Sequence, residues 1–192
     1  MTKRTDTALL VVDAQESFRQ RTDDWAATAN PKVLDHIAQL VEHARSSGDQ
    51  VVWVTHSEPG TDGVFDPVNG HVRVVPELKP ADNEMQVTKT SVNAFTTTNL
   101  QQQLTLRGVR RLVICGIRTE QCCETTARVA SDLGFDVEFV IDATTTSGIP
   151  AGGNYGDVSG EDLMDRTAGI LAARGFATIV TTAQRVGEPV AV

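Results

Sequence analysis

Short apolar runs alternate with segments of helical periodicity along this chain, and few architectures satisfy that alternation. Ala8-Leu-Leu-Val-Val-Asp13 is a continuous apolar run closed by a carboxylate, as in a central strand covered on both faces. Residues 50–55, 111–117 and 136–141 repeat the pattern, residues 85–89 form a shorter strand ending in a charge, and residues 177–182 close the series. Between them Val33, Leu34, Ile37, Val41 and Ala44 recur at helical spacing, with Asn30-Pro31 as the expected start and Gly48 as the stop. Residues 99–107 predict a helix packed through Leu100, Leu104 and Leu106. Residues 120–133 predict another, with Cys123, Ala127, Ala130 and Leu133 inward and Gly134 beyond. Ser159-Gly-Glu-Asp162 resembles a capping box opening a helix to Arg174. The expected fold is therefore α/β, three layers (α/β/α) around a six-stranded, mostly parallel sheet with right-handed crossovers.

A chain of 192 residues suits one domain, 1–192, since a domain of that size buries roughly 70% of its unfolded surface. A net charge of −8 argues against nucleic-acid or anionic-membrane surfaces, whose binders cluster Lys and Arg. Three cysteines within nine residues make no disulfide framework and suit a reducing cytoplasm. No apolar stretch approaches the roughly 20 residues of a membrane span, and Met1-Thr-Lys-Arg-Thr5 lacks a signal peptide's apolar core. The expected location is cytoplasmic. Residues 56–83, rich in Gly, Pro and Asp, are too long for an ordinary connection and predict a functional or oligomer-forming loop.

In a parallel sheet, ligands gather beyond the carboxyl ends of the strands, near the point where strand order reverses. Asp13 and Lys89 fall at such ends. The run through Gly116 gives way to Cys122 at the start of a helical pattern, where unpaired N–H groups lower a cysteine pKa. Alone, each has an ordinary explanation as a turn residue, a surface lysine or a small buried hydrophobe. Together they form a set for covalent catalysis: Cys122 to attack a carbonyl carbon, Asp13 to move its proton, Lys89 to stabilise the thiolate, and N–H groups of the preceding turn to hold the oxyanion.

Leu9-Leu-Val-Val-Asp13-Ala-Gln15-Glu-Ser-Phe18, Val87-Thr-Lys89-Thr-Ser-Val-Asn-Ala-Phe95, Val113-Ile-Cys-Gly116-Ile-Arg-Thr119-Glu-Gln-Cys122 and Thr126-Ala-Arg128, in that order and spacing, resemble the isochorismatase-like cysteine hydrolases. That family includes nicotinamidases, N-carbamoylsarcosine amidohydrolases and ureidoacrylate amidohydrolases. The resemblance covers nearly the whole chain. It implies a Rossmann-like fold, Asp13 as general acid/base, Lys89 as charged partner and Cys122 as nucleophile. It also implies a cis peptide between Ile117 and Arg118, an oxyanion hole from the N–H groups of Arg118 and Cys122, a homodimer or homotetramer, and a small-molecule substrate.

Two departures stand out. Arg118 and Cys123 replace residues that are commonly small and valine-like, and Arg118 is a candidate to meet an anionic group on the substrate or on a neighbouring subunit. The nicotinamidase metal pattern Asp-x-His-x-x-x-His is missing, the region being Thr55-His56-Ser-Glu-Pro-Gly-Thr-Asp62. His56 and His71 are fifteen residues apart, and His36 and His43 belong to a helix, so no metal and no cofactor are expected. Gln15, Phe18, His56 and Arg118 are the candidate substrate-binding residues.

Hydrolysis of a C–N bond in a small amide, carbamoyl or lactam-like compound is the leading expectation. Ether hydrolysis of isochorismate type, driven by Asp13 with Cys122 incidental, is the second. A redox or non-catalytic thiol module is the third, although Cys122-Cys123 makes a strained bridge and no Cys-x-x-Cys occurs. No glycine-rich dinucleotide fingerprint follows the first strand.

Overall fold

The computed structural model describes residues 5–187. Residues 1–4 and 188–192, and with them the expectation about the chain's first residues, lie outside the described residues.

Strand β1 (Thr7–Val12) is buried at every position because both its faces are covered. Ala8, Leu10 and Val12 point to one side and Leu9 and Val11 to the other, as the two-residue period of a strand requires. Around it lie β2 (Gln50–His56), β3 (Met85–Lys89), β4 (Arg111–Ile117), β5 (Asp136–Thr145) and β6 (Thr178–Val180). The sheet order is β3-β2-β1-β4-β5-β6 and every pairing is parallel. The chain thus starts mid-sheet, runs to the β3 edge, and returns to the other side of β1. Strand order reverses between β1 and β4, and a ligand site is expected beyond their carboxyl ends.

Helices fill both faces. Helix α1 (Glu16–Arg19) and α2 (Thr22–Ala26) are short and follow β1, whereas α3 (Val33–Ser47) buries Val33, Ile37, Leu40, Val41 and Ala44 against Leu9, Val11 and Trp53. On the opposite face α4 (Leu100–Leu106), α5 (Glu124–Asp132) and α6 (Gly160–Ala173) contribute Leu100, Leu104, Ala127, Ala130 and Leu171 to the cluster around Leu10 and Val12. Helix α7 (Thr182–Val186) packs beside α3. Burying one aliphatic side chain contributes about 1.5–3 kcal/mol. The α3 stripe therefore outweighs propensity differences of a few tenths of a kcal/mol per residue. Among the described residues no helix is long and apolar enough to cross a membrane.

Gly116 in β4 has φ +131°, and a Cβ there would lie 1.9 Å from the Val12 carbonyl oxygen. Glycine is what lets β1 and β4 approach this closely just before Asp13 and Ile117, and the β4–β5 register shifts at the same place.

Several expectations need correction. Helix α3 begins at Val33, since the Asn30 side chain accepts the Lys32 N–H (3.1 Å) and donates to the carbonyls of Asp142 (2.6 Å) and Thr144 (3.0 Å), fastening the turn to β5. Leu106 is 75% exposed, because it points away from the Leu100/Leu104 stripe. Leu133 is 37% exposed, because α5 ends at Asp132 and the chain turns at Gly134. The last strand is cut to three residues by Thr181, whose side chain accepts the Gln184 N–H and opens α7. The segment 56–83 carries 3-10 turns at Pro67–Asn69 and Pro76–Leu78 and buries Phe65, Val75 and Leu78, so much of it is packed.

Candidate active site

The carboxyl ends of β1, β3 and β4 bring three reactive groups together. Directly after β1, Asp13 adopts φ +52°, a left-handed conformation uncommon outside glycine, and its N–H donates to Val54 of β2 (2.8 Å). This turn places the carboxylate inside, fully buried, where Oδ2 lies 2.8 Å from the ammonium of Lys89, also fully buried at the end of β3. After β4 the Ile117–Arg118 peptide is cis. The next residues, Thr119–Cys123, form a π-turn whose first carbonyl, Arg118 O, accepts the N–H groups of both Gln121 (3.3 Å) and Cys123 (3.1 Å). Between those two sits Cys122, 6% exposed, with Sγ 3.5 Å from Lys89 Nζ. Neither Asp13 oxygen has an aligned hydrogen bond among the described residues. Beyond the ion pair, the carboxylate is left able to take a proton.

Electrostatics define the resting state. Burial raises the Asp13 pKa and the Lys89 ammonium only partly opposes it. Burial likewise pushes the Cys122 thiol up to about 12, helped by the Asp13 carboxylate and resisted by Lys89. The expectation that a helix N-terminus would lower this pKa is therefore corrected. The thiol sits in a π-turn ahead of α5, buried and facing a carboxylate, and burial is the largest cause of the rise. Cys122 rests protonated beside a base of raised affinity for protons. Cys115 and Cys123 are fully buried, with pKa values raised by the same desolvation.

The other predicted residues divide. Gln15 is buried with its amide engaged: Oε1 accepts the His56 N–H (2.7 Å), and Nε2 donates to His56 O (3.0 Å) and Ser17 Oγ (2.9 Å). It clamps the end of β2, and its amide is turned to that task. The His56 ring reaches this candidate cluster, with Nδ1 3.3 Å from Lys89 Nζ. Phe18 is buried against Phe65 and Ile117, beside the cis peptide. The Arg118 guanidinium meets Asp24 (2.6 Å) and Ser147, and lies 5.7 Å from the centre of the Phe18 ring. It is thus neither a free solvated arginine nor, within this chain, an unpaired anion receptor. Asp24, Ser147, Ser91 and Glu58 were not anticipated. Asp24 and Ser147 lie far from residue 118 in sequence and carry no local pattern pointing to it. Trp53 packs in the α3 core and Tyr155 is 59% exposed, so neither shapes this cluster.

Among the described residues no group of three His, Cys, Asp or Glu side chains is placed to hold a metal. Both ring nitrogens of His56 already face partners, Lys89 and the Glu58 carboxylate (3.2 Å). The residues present do not fit the nicotinamidase metal site. A cleft of about 590 Å³ around Arg45, Gln50, Glu84 and Arg107 opens at the amino ends of β2 and β3 and contains no thiol. Chemistry and topology, more than cavity size, mark the β1/β4 end as the site.

Comparison with known proteins finds relatives over most of the chain. The isochorismatase family protein YrdC of Bacillus subtilis is 31% identical over 182 residues, 94% of this chain and 95% of that one. Nicotinamidase 3 of Arabidopsis thaliana is 32% identical over 153 residues, 72% of this chain and 73% of that one. The crystal structure of a cysteine hydrolase from Pseudomonas syringae pv. phaseolicola superposes with a TM-score of 0.86 at 25% identity, covering 95% of this chain and 91% of that one. The Isochorismatase domain matches residues 7–184, and with the parallel sheet and the cluster at its switch point this shows that the chain belongs to the isochorismatase family of hydrolases.

Proposed function

We propose that the protein hydrolyses a C–N bond of a small amide, carbamoyl or lactam-like substrate through a thioester on Cys122, without a cofactor. The observation that carries the reading is the meeting of Asp13, Lys89 and Cys122 in one buried cluster, with 2.8 Å from ammonium to carboxylate and 3.5 Å from ammonium to thiol. As substrate enters, Asp13 takes the thiol proton and Cys122 Sγ bonds to the carbonyl carbon. Lys89 remains charged, so the negative charge moves from carboxylate to sulfur within reach of one cation. The N–H groups of Arg118 and Cys122 are assigned to the oxyanion. The C–N bond then breaks, and the amine leaves with the proton held on Asp13. Water attacks the thioester, giving its proton to Asp13. The acid departs, and the proton returns to sulfur.

A thiol pushed up to about 12 suits this scheme. Such a group becomes a nucleophile only as its neighbouring base accepts the proton. The amidase named among the relatives and the cysteine hydrolase among the solved structures support the reaction class. The misfit of the metal site argues against nicotinamide as the substrate. The test is a panel of small amides, carbamoyl compounds and lactams followed by amine or ammonia release. Wild type is expected to release amine on at least one compound, with Cys122→Ala and Asp13→Asn inactive on it. Amine release that survives Cys122→Ala but fails in Asp13→Asn would instead identify hydrolysis driven by the carboxylate without a thioester, and a vinyl ether cleaved by both wild type and Cys122→Ala would identify the ether-type reaction.

A further inference from the structure

The three hydrogens of the Lys89 ammonium are matched by three aligned acceptors, Ser91 O at 3.2 Å, His56 Nδ1 at 3.3 Å and Cys122 Sγ at 3.5 Å. Asp13 Oδ2 is nearer, at 2.8 Å, but is held as an ion pair without an aligned hydrogen bond. With Ser91 and His56 taking one hydrogen each, a single hydrogen is left on the side of Cys122 and Asp13. That matches the proposed reaction, in which negative charge resides on one of those two groups at a time.

His56 can accept from an ammonium only if Nδ1 carries a lone pair, so its proton must be on Nε2. The structure supplies the reason: Nε2 faces Glu58 Oε1 at 3.2 Å, and a carboxylate accepts but cannot donate. The ring is also held in place. Gln15 bonds both the N–H and the carbonyl of His56, and Phe65 packs edge-on to the imidazole at 5.7 Å.

We propose that His56 is a positioning residue, fixed by Glu58 as the Nε2–H tautomer, which occupies one hydrogen of the Lys89 ammonium so that the remaining charge is aimed between Asp13 and Cys122. Without that acceptor, the freed hydrogen turns to the Asp13 carboxylate, the strongest acceptor present, and makes it a poorer base for the thiol. The proposal rests on the reading of Lys89 as the charged partner of Asp13 and Cys122.

The test needs no known substrate. Iodoacetamide alkylation of Cys122, followed by peptide mass mapping, reads how readily the thiol gives up its proton. His56→Leu is expected to slow it on the order of tenfold, the size of one charge-assisted hydrogen bond. His56→Asn, whose amide oxygen can stand near the position of Nδ1, is expected to restore most of the rate. Where a substrate is available, the loss falls on kcat with KM little changed. Nitrogen NMR of the wild-type imidazole is expected to show the Nε2–H tautomer, and Glu58→Leu to weaken that preference. An unchanged alkylation rate in a folded His56→Leu, no recovery in His56→Asn, or a wild-type proton on Nδ1 overturns the proposal. The NMR result stands even if the leucine variant does not fold. Turnover that survives Cys122→Ala would instead overturn the thioester reading while leaving the alkylation and NMR results valid.

Discussion

Replacing Gly116 by alanine tests at one atom how fold and site are joined. The added methyl carbon would lie 1.9 Å from Val12 O, 2.7 Å from Val12 C and 2.8 Å from Val12 N, all backbone, while real Cβ contacts essentially never fall below 3.0 Å. Strands β1 and β4 must therefore part by more than about 1 Å at the switch point. Overpacking of this kind costs about 1–3 kcal/mol. Placing an L side chain at φ +131° adds about 1–2 kcal/mol. The expected loss is about 2–5 kcal/mol, or roughly 4–20 °C in Tm for a chain of this size. Because Asp13 follows Val12 and Cys122 follows Gly116, the same displacement separates base from thiol. A 1 Å misplacement can cost about a hundredfold in rate. The control is Gly134→Ala, at φ +86° with nothing within 4 Å of its added carbon, which should show only the conformational cost of about 1–2 kcal/mol. Urea denaturation and Cys122 alkylation should both separate the two variants. Equal stability loss in the two, with normal alkylation in Gly116→Ala, would refute the close approach and its link to the site.

Alkaline pH should destabilise the protein through its thiols. The fold holds Cys122 protonated up to about 12. An unfolded thiol ionises near 8.5, so the folded state retains a proton that the unfolded state has lost. The contribution is fully present below about pH 8.5 and falls toward pH 12, by up to about 1.4 kcal/mol per pH unit for each such thiol. Urea midpoints measured under reductant at about pH 8 and 10 should fall, and fall less in Cys122→Ala; equal falls would contradict the raised pKa. Arg118→Met should free α2, which has no buried residue of its own, and speed amide exchange across residues 22–28. Asp24 is about half exposed, so the global cost should stay within about 1 kcal/mol. Turnover should survive, because the assigned oxyanion donor is the backbone N–H; its complete loss would assign the guanidinium to the substrate.

The sheet was legible because burial on both faces leaves a run such as Leu9 to Val12 with no polar positions, a pattern that few loops share. Asp13 and Lys89 stood out for the opposite reason, as charges at the ends of such runs. Cys122 was placed correctly after β4, but its electrostatics were not. The sequence shows a helix to come; it does not show that a π-turn precedes α5, or that the thiol faces a carboxylate in a buried site. Long-range pairs were equally invisible. Arg118 finds Asp24 ninety-four residues earlier, and Glu58 acts on Lys89 only through the intervening imidazole. Short elements such as α1, α2 and α7 escaped because tertiary bonds, and not periodicity, hold them. Ser17, for instance, donates to His71 O, and Asp142 accepts both the N–H and the hydroxyl of Thr182.

The most direct test of the account is intact-mass analysis after rapid acid quench, made during turnover of whichever amide or carbamoyl compound the protein hydrolyses. The account predicts an adduct equal to the acyl portion of the substrate, mapped to Cys122 and absent from Cys122→Ala. Steady turnover with no such adduct, together with activity retained in Cys122→Ala, would contradict it.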